Sequence, residues 1–94
     1  MYTIKITQLA FSDIRKGFRY YNDVQAGLGA RFSLVIDQTL ERIRKMPFAA
    51  SIAYDDVRYK VVDSFPYIIL YKIQGNQILI ARVFNSYQKP LYKV

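Results

Sequence analysis

The sequence predicts an α+β domain in which a hairpin of two helices packs on a mainly antiparallel four-stranded sheet, in the chain order β-α-α-β-β-β. Three observations lead to this fold class. Two stretches with helical spacing of apolar residues come first, and two apolar, β-branched and aromatic runs flank the pair Gly75-Asn76 later on. The third is length, because 94 residues without a repeat or linker suit one domain, residues 1–94.

The first strand and the first helix are predicted before the first glycine-rich break. Residues 2–6 alternate apolar and polar side chains, as a short strand does. Thr7 suits an N-cap, because its hydroxyl can accept a hydrogen bond from a free amide of the first helical turn. The helix should run from residue 8 to about residue 25, with an apolar stripe formed by Ala10, Ile14, Phe18 and Tyr21.

A second helix is predicted after the break at Gly27-Leu28-Gly29, where Gly27 suits the left-handed position that follows a helix. Pro47 closes this helix, and residues 48–56 are expected to be irregular. Because the break is so short, the two helices should form an antiparallel hairpin. The buried face of the second helix is expected to hold Leu28, Phe32, Val35, Ile36, Leu40 and Ile43.

The remaining strands are predicted at residues 57–62 and on either side of Gly75-Asn76. A two-residue turn at this pair fixes the register of the hairpin. The expected cross-strand pairs are Ile73 with Ile78, Tyr71 with Ile80 and Ile69 with Arg82. One face of the hairpin then holds Tyr67, Ile69, Tyr71, Ile73, Ile78, Ile80 and Phe84. The opposite face holds Ile68, Leu70, Leu79, Ala81 and Val83.

Both predicted faces of the hairpin are apolar, which has a functional consequence. Two helices can cover only one side of a sheet, so something else should cover the other. The C-terminal tail and a homodimer are two candidates. We favour a third, a strand or helix of a bound partner.

Composition restricts the chemistry and the partners. The chain has no cysteine and no histidine, which removes disulfides, thiolate zinc sites and the usual general base. The adjacent carboxylates Asp55-Asp56 are too few to predict a metal site, and no cofactor is expected. The net charge of +7 favours an anionic partner, whether nucleic acid, an acidic protein segment or a membrane surface. No apolar stretch is long enough to span a membrane and no secretory signal is visible, so we expect a cytoplasmic protein.

Several short motifs, in a particular order, resemble the RelE/ParE superfamily of bacterial toxins. The resemblance covers residues 2–90, and it depends on the order and spacing of the motifs together. They are Ala10-Phe11-Ser12-Asp13, Tyr20-Tyr21, Leu28-Gly29-Ala30-Arg31-Phe32, Val57-Arg58 and Phe65-Pro66-Tyr67.

The resemblance implies the toxin of a type II toxin–antitoxin pair, held inactive by a cognate acidic antitoxin. RelE-like members cut messenger RNA on the ribosome, whereas ParE-like members poison DNA gyrase. RelE-like members commonly have an arginine where this chain has Ile68, and some supply a histidine where it has Asn85-Ser86-Tyr87-Gln88. Loss of an arginine removes a charge-assisted phosphate contact. We therefore predict the ParE-like branch, a binding inhibitor rather than an enzyme, with a ribosome-dependent mRNA endonuclease as the alternative and a degenerate, non-toxic member as a third possibility.

Two sets of candidate site residues follow from this interpretation. Arg82 lies in an apolar strand, so it should pair with a carboxylate such as Asp63 or contact an anionic ligand. Arg58 and Lys60 could equally serve only to keep a sheet surface soluble. The residues that would contact the target or nucleic acid, or act in catalysis in the nuclease alternative, are Arg58, Lys60, Arg82, Tyr87 and Lys89. The residues that would contact the antitoxin are Ile68, Leu70, Leu79, Ala81 and Val83.

Overall fold

A computed structural model describes residues 1–87, and it has two helices and a five-stranded sheet of order β1-β5-β4-β3-β2. The α+β class and the helix hairpin are as predicted. Strand β1 runs parallel to β5, and the other neighbouring strands are antiparallel. The elements are β1 (Thr3–Ile6), α1 (Gln8–Val24), α2 (Leu28–Lys45), β2 (Ser51–Tyr54), β3 (Val57–Val61), β4 (Tyr67–Gln74) and β5 (Gln77–Asn85).

The fifth strand, β2, lies in a segment that was predicted to be irregular. It has only four residues, and its register shifts between Ile52 and Tyr54, so no regular alternation marks it in the sequence. A tight turn at Asp55, with φ of 47°, brings it back onto β3. The strand exists because it can pair with β3, and local propensity alone does not indicate it.

The ends of the helices follow their local signals. Thr7 has an extended backbone, and its hydroxyl accepts a hydrogen bond from the Ala10 amide at 3.1 Å, as predicted for an N-cap. Gly27 has φ of 88° and precedes α2 directly. Asn22 Oδ1 accepts the Gly27 N–H at 3.2 Å, which holds the break in place. These contacts give the short connection expected of an antiparallel helix pair.

The buried stripe of α1 differs from the prediction at one position. Phe18 is 38% exposed, whereas Gly17 is buried. A Cβ atom on Gly17 would lie only 2.7 Å from the ring of Phe32, and one on Gly29 would lie 2.6 Å from the Phe18 carbonyl oxygen. The helices therefore approach closely through two glycines, and the Phe32 ring from α2 packs against α1 at Gly17.

The register of the β4–β5 hairpin is as predicted near the turn and wrong further from it. Ile73 pairs with Ile78 and Tyr71 with Ile80, but Ile69 pairs with Val83 instead of Arg82. A β-bulge lies between these pairs, with Ala81 as the extra residue on β5. One extra residue reverses the alternation of side chains beyond it. Val83 consequently joins the helix-facing core and Phe84 the opposite face, the reverse of the prediction.

The main core lies between the helices and the sheet. An aromatic group at one end joins Phe32 with Tyr21, Phe65 and Tyr67, whose ring centroids lie 4.9–5.2 Å from that of Phe32. The largest fully buried apolar side chains are Tyr71, Phe32, Ile36, Ile43, Ile69, Ile78, Ile80 and Val83. The other face of the sheet has a smaller cluster of Val57, Leu70 and Phe84, with Ala53, Tyr59 and Ile68 packed around it. Neither helix within residues 1–87 is long and apolar enough to cross a membrane.

Candidate functional site

The sheet face that carries no helix holds most of the residues predicted to contact an antitoxin. Leu70 is buried at its centre, with Ile68 half-buried beside it. Leu79 is half-buried and pairs with Lys72, whereas Ala81 is the extra residue of the bulge. Val83 is 1% exposed and packs on the helix side, so its placement on this face was wrong. Contact of the other four residues with an antitoxin stays a prediction.

Arg82 forms a two-point ion pair with Asp13 of α1. Its Nε lies 2.8 Å from Asp13 Oδ2 and its NH2 nitrogen 2.9 Å from Oδ1. The same Oδ2 accepts the Val83 amide at 2.9 Å, so one carboxylate satisfies both the cation and a backbone group at the bulge. The hydrogen bond with Asp13 raises the pKa of Arg82 above its ordinary value.

Arg82 pairs with a carboxylate, as predicted, but that carboxylate is Asp13 and the suggested Asp63 was wrong. Asp63 lies instead near Arg42, with 3.3 Å between Oδ2 and NH1, and both side chains are largely exposed. The sequence contains a hint of the true partner, because Asp13 belongs to the Ala10-Phe11-Ser12-Asp13 motif. The two residues are 69 positions apart, however, and only the packing of α1 along β5 brings them together.

Beyond the end of β1, Thr7 at the start of α1 supplies hydrogen bonds to the backbone of β5. The Thr7 amide donates to the Ile80 carbonyl at 3.1 Å, and the Thr7 hydroxyl donates to the Ala81 carbonyl at 3.0 Å. Further along β5, the Val83 amide donates to the Asp13 carboxylate. The bulge is thus held by side chains from α1 where a neighbouring strand is no longer present.

Arg58 and Lys60 lie on the helix-facing side of β3, because they pair with Tyr71 and Ile69 of β4. The Arg58 NH1 group donates to the Ala50 carbonyl at 2.6 Å and to the Phe48 carbonyl at 3.2 Å. Its guanidinium carbon also lies 5.2 Å from the centroid of the Phe48 ring. Arg58 therefore fastens the loop after α2 to the sheet.

A cleft of about 250 Å³ opens between the end of α2 and strands β3 and β4. Its polar floor atom is the Tyr71 hydroxyl, which donates to the Pro47 carbonyl at 2.6 Å. Burial raises the pKa of Tyr71 above its ordinary value, so this phenol loses its proton only at a higher pH than an exposed tyrosine does. The residues lining the cleft are Arg42, Ile43, Lys45, Met46, Ala49, Ala50, Lys60 and Tyr71.

A second, more polar pocket of about 370 Å³ lies beside the Asp13–Arg82 pair. Burial raises the pKa of Tyr67 in this pocket, and a hydrogen bond with Asn85 partly opposes that rise. Tyr87 follows closely and is 87% exposed, with its amide bonded to Asn85 Oδ1 at 2.8 Å. The lining residues are Asp13, Lys16, Tyr20, Tyr67, Val83, Phe84 and Asn85.

The predicted target-binding residues are divided between these two regions. Arg58 and Lys60 border the cleft on β3, whereas Arg82 and Tyr87 lie near the polar pocket on and after β5, with β4 between. Lys89 lies outside the described residues. Their contact with a target stays a prediction.

The arrangement of these two regions cannot be predicted from the sequence alone. The cations Arg42 and Lys45 near the end of α2 are visible in the sequence, but their approach to Lys60 depends on how α2 packs on the sheet. Lys16 of the polar pocket carries no signal beyond its position on α1, whereas Tyr20 belongs to the Tyr20-Tyr21 motif. Within residues 1–87, no three acidic side chains lie close enough together to bind a metal.

Comparison with known proteins agrees with this fold. Residues 4–90 match the family model of the ParE toxin of the type II toxin–antitoxin system parDE. A solved structure of the chromosomal ParDE toxin–antitoxin system from P. aeruginosa aligns with a TM-score of 0.69 and 16% identity. The alignment covers 90% of this chain and 96% of that one. No curated protein matches the sequence. The resemblance to the RelE/ParE superfamily, on its ParE-like side, is thereby confirmed, and the chain belongs to the ParE toxin family of type II toxin–antitoxin systems.

Proposed function

We propose that the protein inhibits growth by binding DNA gyrase and that a cognate acidic antitoxin neutralises it. Membership of the ParE toxin family over residues 4–90 is the observation that carries the toxin role. The similar structure from P. aeruginosa belongs to a toxin–antitoxin system, which supports an antitoxin partner here. The net charge of +7 suits a partner rich in carboxylates.

The hydrogen bonds that Arg58 and Arg82 make within the fold support a binding inhibitor over a nuclease. Cleavage of RNA needs a group that activates the ribose hydroxyl and cations that face the phosphate. Arg82 is bound at two points by Asp13, and Arg58 is bound to two loop carbonyls. Ile68 stands where a nuclease of the superfamily commonly has an arginine. These guanidinium groups contribute more to holding the fold than to receiving a phosphate.

Induced expression in bacteria tests the toxin role and its target together. Growth, ribosome-bound transcripts and the supercoiling of a plasmid by purified gyrase would be measured on the same protein. We expect growth arrest, intact transcripts and inhibited supercoiling. Codon-phased cuts would instead show a ribosome-dependent endonuclease, and normal growth with a folded protein would show a family member without toxicity.

Two substitutions examine the surface that contacts gyrase. Lys60→Ala removes a cation near the cleft, and Tyr87→Ala removes an exposed ring beside the polar pocket. Lys5→Ala is the matched control, because Lys5 is exposed on β1 and belongs to neither region. We expect Lys60→Ala or Tyr87→Ala to weaken inhibition of gyrase more than Lys5→Ala does. Equal effects would place the contact elsewhere.

A further inference from the structure

The cleft at the end of α2 has an apolar floor that is ready to receive a side chain. Ile43 and Tyr71 form its buried part, and Met46, Ala49 and Ala50 form its mouth. Met46 is 67% exposed, and the neighbouring Phe48 is 60% exposed. Exposed apolar surface around a concave apolar site is typical of a place where another molecule binds.

The cleft is held open by hydrogen bonds that do not depend on a ligand. The Tyr71 hydroxyl donates to the Pro47 carbonyl, and the Arg58 guanidinium donates to the carbonyls of Phe48 and Ala50. The Ala49 amide closes a turn on the Met46 carbonyl at 3.1 Å. Because the loop is fixed before binding, a ligand loses little free energy in ordering it.

The rim of the cleft is cationic. Arg42 and Lys45 lie on the α2 side and Lys60 on the β3 side, and no acidic residue lines the cleft within the part of the chain that the structure describes. Arg42 pairs with Asp63 at 3.3 Å, but exposure of both side chains makes that pair weak. Lys60 makes no ion pair within residues 1–87. A ligand with an apolar body and flanking negative charges complements this arrangement.

We propose that this cleft binds an acidic peptide segment of a partner protein that inserts one large apolar side chain between α2 and β3. The carboxylates on either side of that side chain pair with Arg42, Lys45 and Lys60. This deepens the proposed function, and it rests on that function in one respect, namely that the antitoxin is the protein that carries the segment.

Nucleic acid fits the cleft less well, although it is also anionic. Among the described lining residues, only Tyr71 brings a side-chain hydroxyl to the floor, and it already donates to the Pro47 carbonyl. A base buried there would lose most of its hydrogen bonds with water, because the other floor side chains are apolar. An apolar side chain has no such loss.

The test uses the full chain and a synthetic acidic peptide with one central phenylalanine between glutamates. A second peptide has serine in place of the phenylalanine. Binding would be measured by titration calorimetry, and the site would be located by amide chemical shifts. We expect the serine peptide to bind about tenfold more weakly or worse, because the floor recognises the apolar side chain. The largest shifts should fall on residues around the cleft.

Two variants and a control identify the site. Ala49→Trp fills the mouth from an exposed position, and Lys60→Glu reverses a charge of the rim. Both should weaken the phenylalanine peptide by about tenfold or more, whereas Lys5→Glu, with the same charge change on β1, should stay within about twofold. Circular dichroism would confirm that each variant is folded.

Several results would overturn the proposal. These are equal binding of the two peptides, no binding of either, or equal effects of Lys5→Glu and Lys60→Glu. A single-stranded oligonucleotide that displaces the peptide, binds more tightly and is blocked by Ala49→Trp would show a nucleic-acid site instead. Growth arrest is measured separately. A protein that arrests growth but does not bind the peptide would contradict the peptide-binding cleft and leave the proposed function unaffected. A protein that binds the peptide but does not arrest growth would contradict the proposed function and leave the cleft unaffected.

Discussion

The two faces of the sheet are built from the same strands and are both apolar, yet they differ in how completely they are covered. On the helix side, Ile69, Ile78 and Ile80 have no exposed surface. On the other side, Leu70 and Phe84 are buried, but Ile68 beside them is only partly so and Val61 is 58% exposed. Apolar sequence therefore marks both faces equally, and only the position of the helices separates a core from a surface that a partner can cover.

The bulge at Ala81 decides which residues of β5 belong to which face. Without it, Val83 would lie on the open face and Phe84 in the core. Asp13 and Thr7 hold the bulge by taking the backbone groups around it. The difference between the faces thus depends on contacts from α1 as well as on alternation along the strand.

The largest expected effect comes from neighbouring isoleucines that point to opposite faces. Ile69→Ala leaves a cavity in a fully buried position and should lower the free energy of unfolding by about 2 to 5 kcal/mol. Ile68→Ala, next in the chain but half-buried on the open face, should cost about 1 kcal/mol or less. Urea denaturation of both variants measures the difference. Similar losses would mean that the open face is packed as tightly as the core.

The next effect concerns the ion pair at the bulge. Asp13→Ala removes the carboxylate that accepts hydrogen bonds from Arg82 and from the Val83 amide. The side chain of Asp13 is only 11% exposed, and that of Arg82 only 25%. We expect a loss of about 2 to 3 kcal/mol in unfolding free energy.

Asp63→Ala is the control for this ion pair, because it breaks the exposed pair with Arg42 and should cost less than about 0.5 kcal/mol. Thermal denaturation compares the two variants. Asp13→Asn should fall between them, since the amide oxygen can still accept the Val83 N–H. An Asp13→Ala variant as stable as Asp63→Ala would contradict the role assigned to the bulge contact.

A smaller effect is expected where the helices meet above the covered face. In Gly29→Ala, the new Cβ would lie 2.6 Å from the Phe18 carbonyl oxygen, a backbone atom that cannot rotate away. The clash should outweigh the gain in helix propensity and lower the unfolding free energy by about 1 to 3 kcal/mol. The exposed exchange Ala30→Gly measures the propensity contribution at the next position. A stabilised Gly29→Ala variant would show that the helices separate easily.

The smallest predicted effect appears at alkaline pH and concerns tyrosines on the side of the sheet that the helices cover. Burial raises the pKa values of Tyr21, Tyr67 and Tyr71, so the unfolded chain loses these protons at lower pH than the folded chain. Their contribution to stability is therefore complete below about pH 10 and declines as the pH rises through the raised folded values.

Tyr71→Phe should cost about 1 kcal/mol at neutral pH, because the bond to the Pro47 carbonyl is lost, and should make the alkaline decline shallower. Urea denaturation at several pH values above neutrality measures both changes. A parallel decline in wild type and Tyr71→Phe would remove Tyr71 as a cause.

Short-range features of this protein follow from the sequence by itself. The Thr7 cap, the break at Gly27 and the turn at Gly75-Asn76 lie where residue types alone place them, and the pairs nearest the turn are in the predicted register. The motifs, in their order along the chain, likewise predicted the superfamily, and Ile68 in place of an arginine, with no histidine at residues 85–88, predicted its ParE-like branch. The cap, the break and the turn each depend on the chemistry of a few residues close together in the chain, which a sequence displays directly.

Only the tertiary structure decided the features that depend on distant groups. The bulge needs Asp13 beside Val83, strand β2 needs β3 as its partner, and the cleft needs Lys60 opposite the end of α2. Phe18 is 38% exposed and lies beside Gly29 of α2, a position that the apolar stripe does not indicate. The physical reason is the same in each case: hydrogen bonds and packing across the fold outweigh local alternation, and the sequence does not show which distant residues meet.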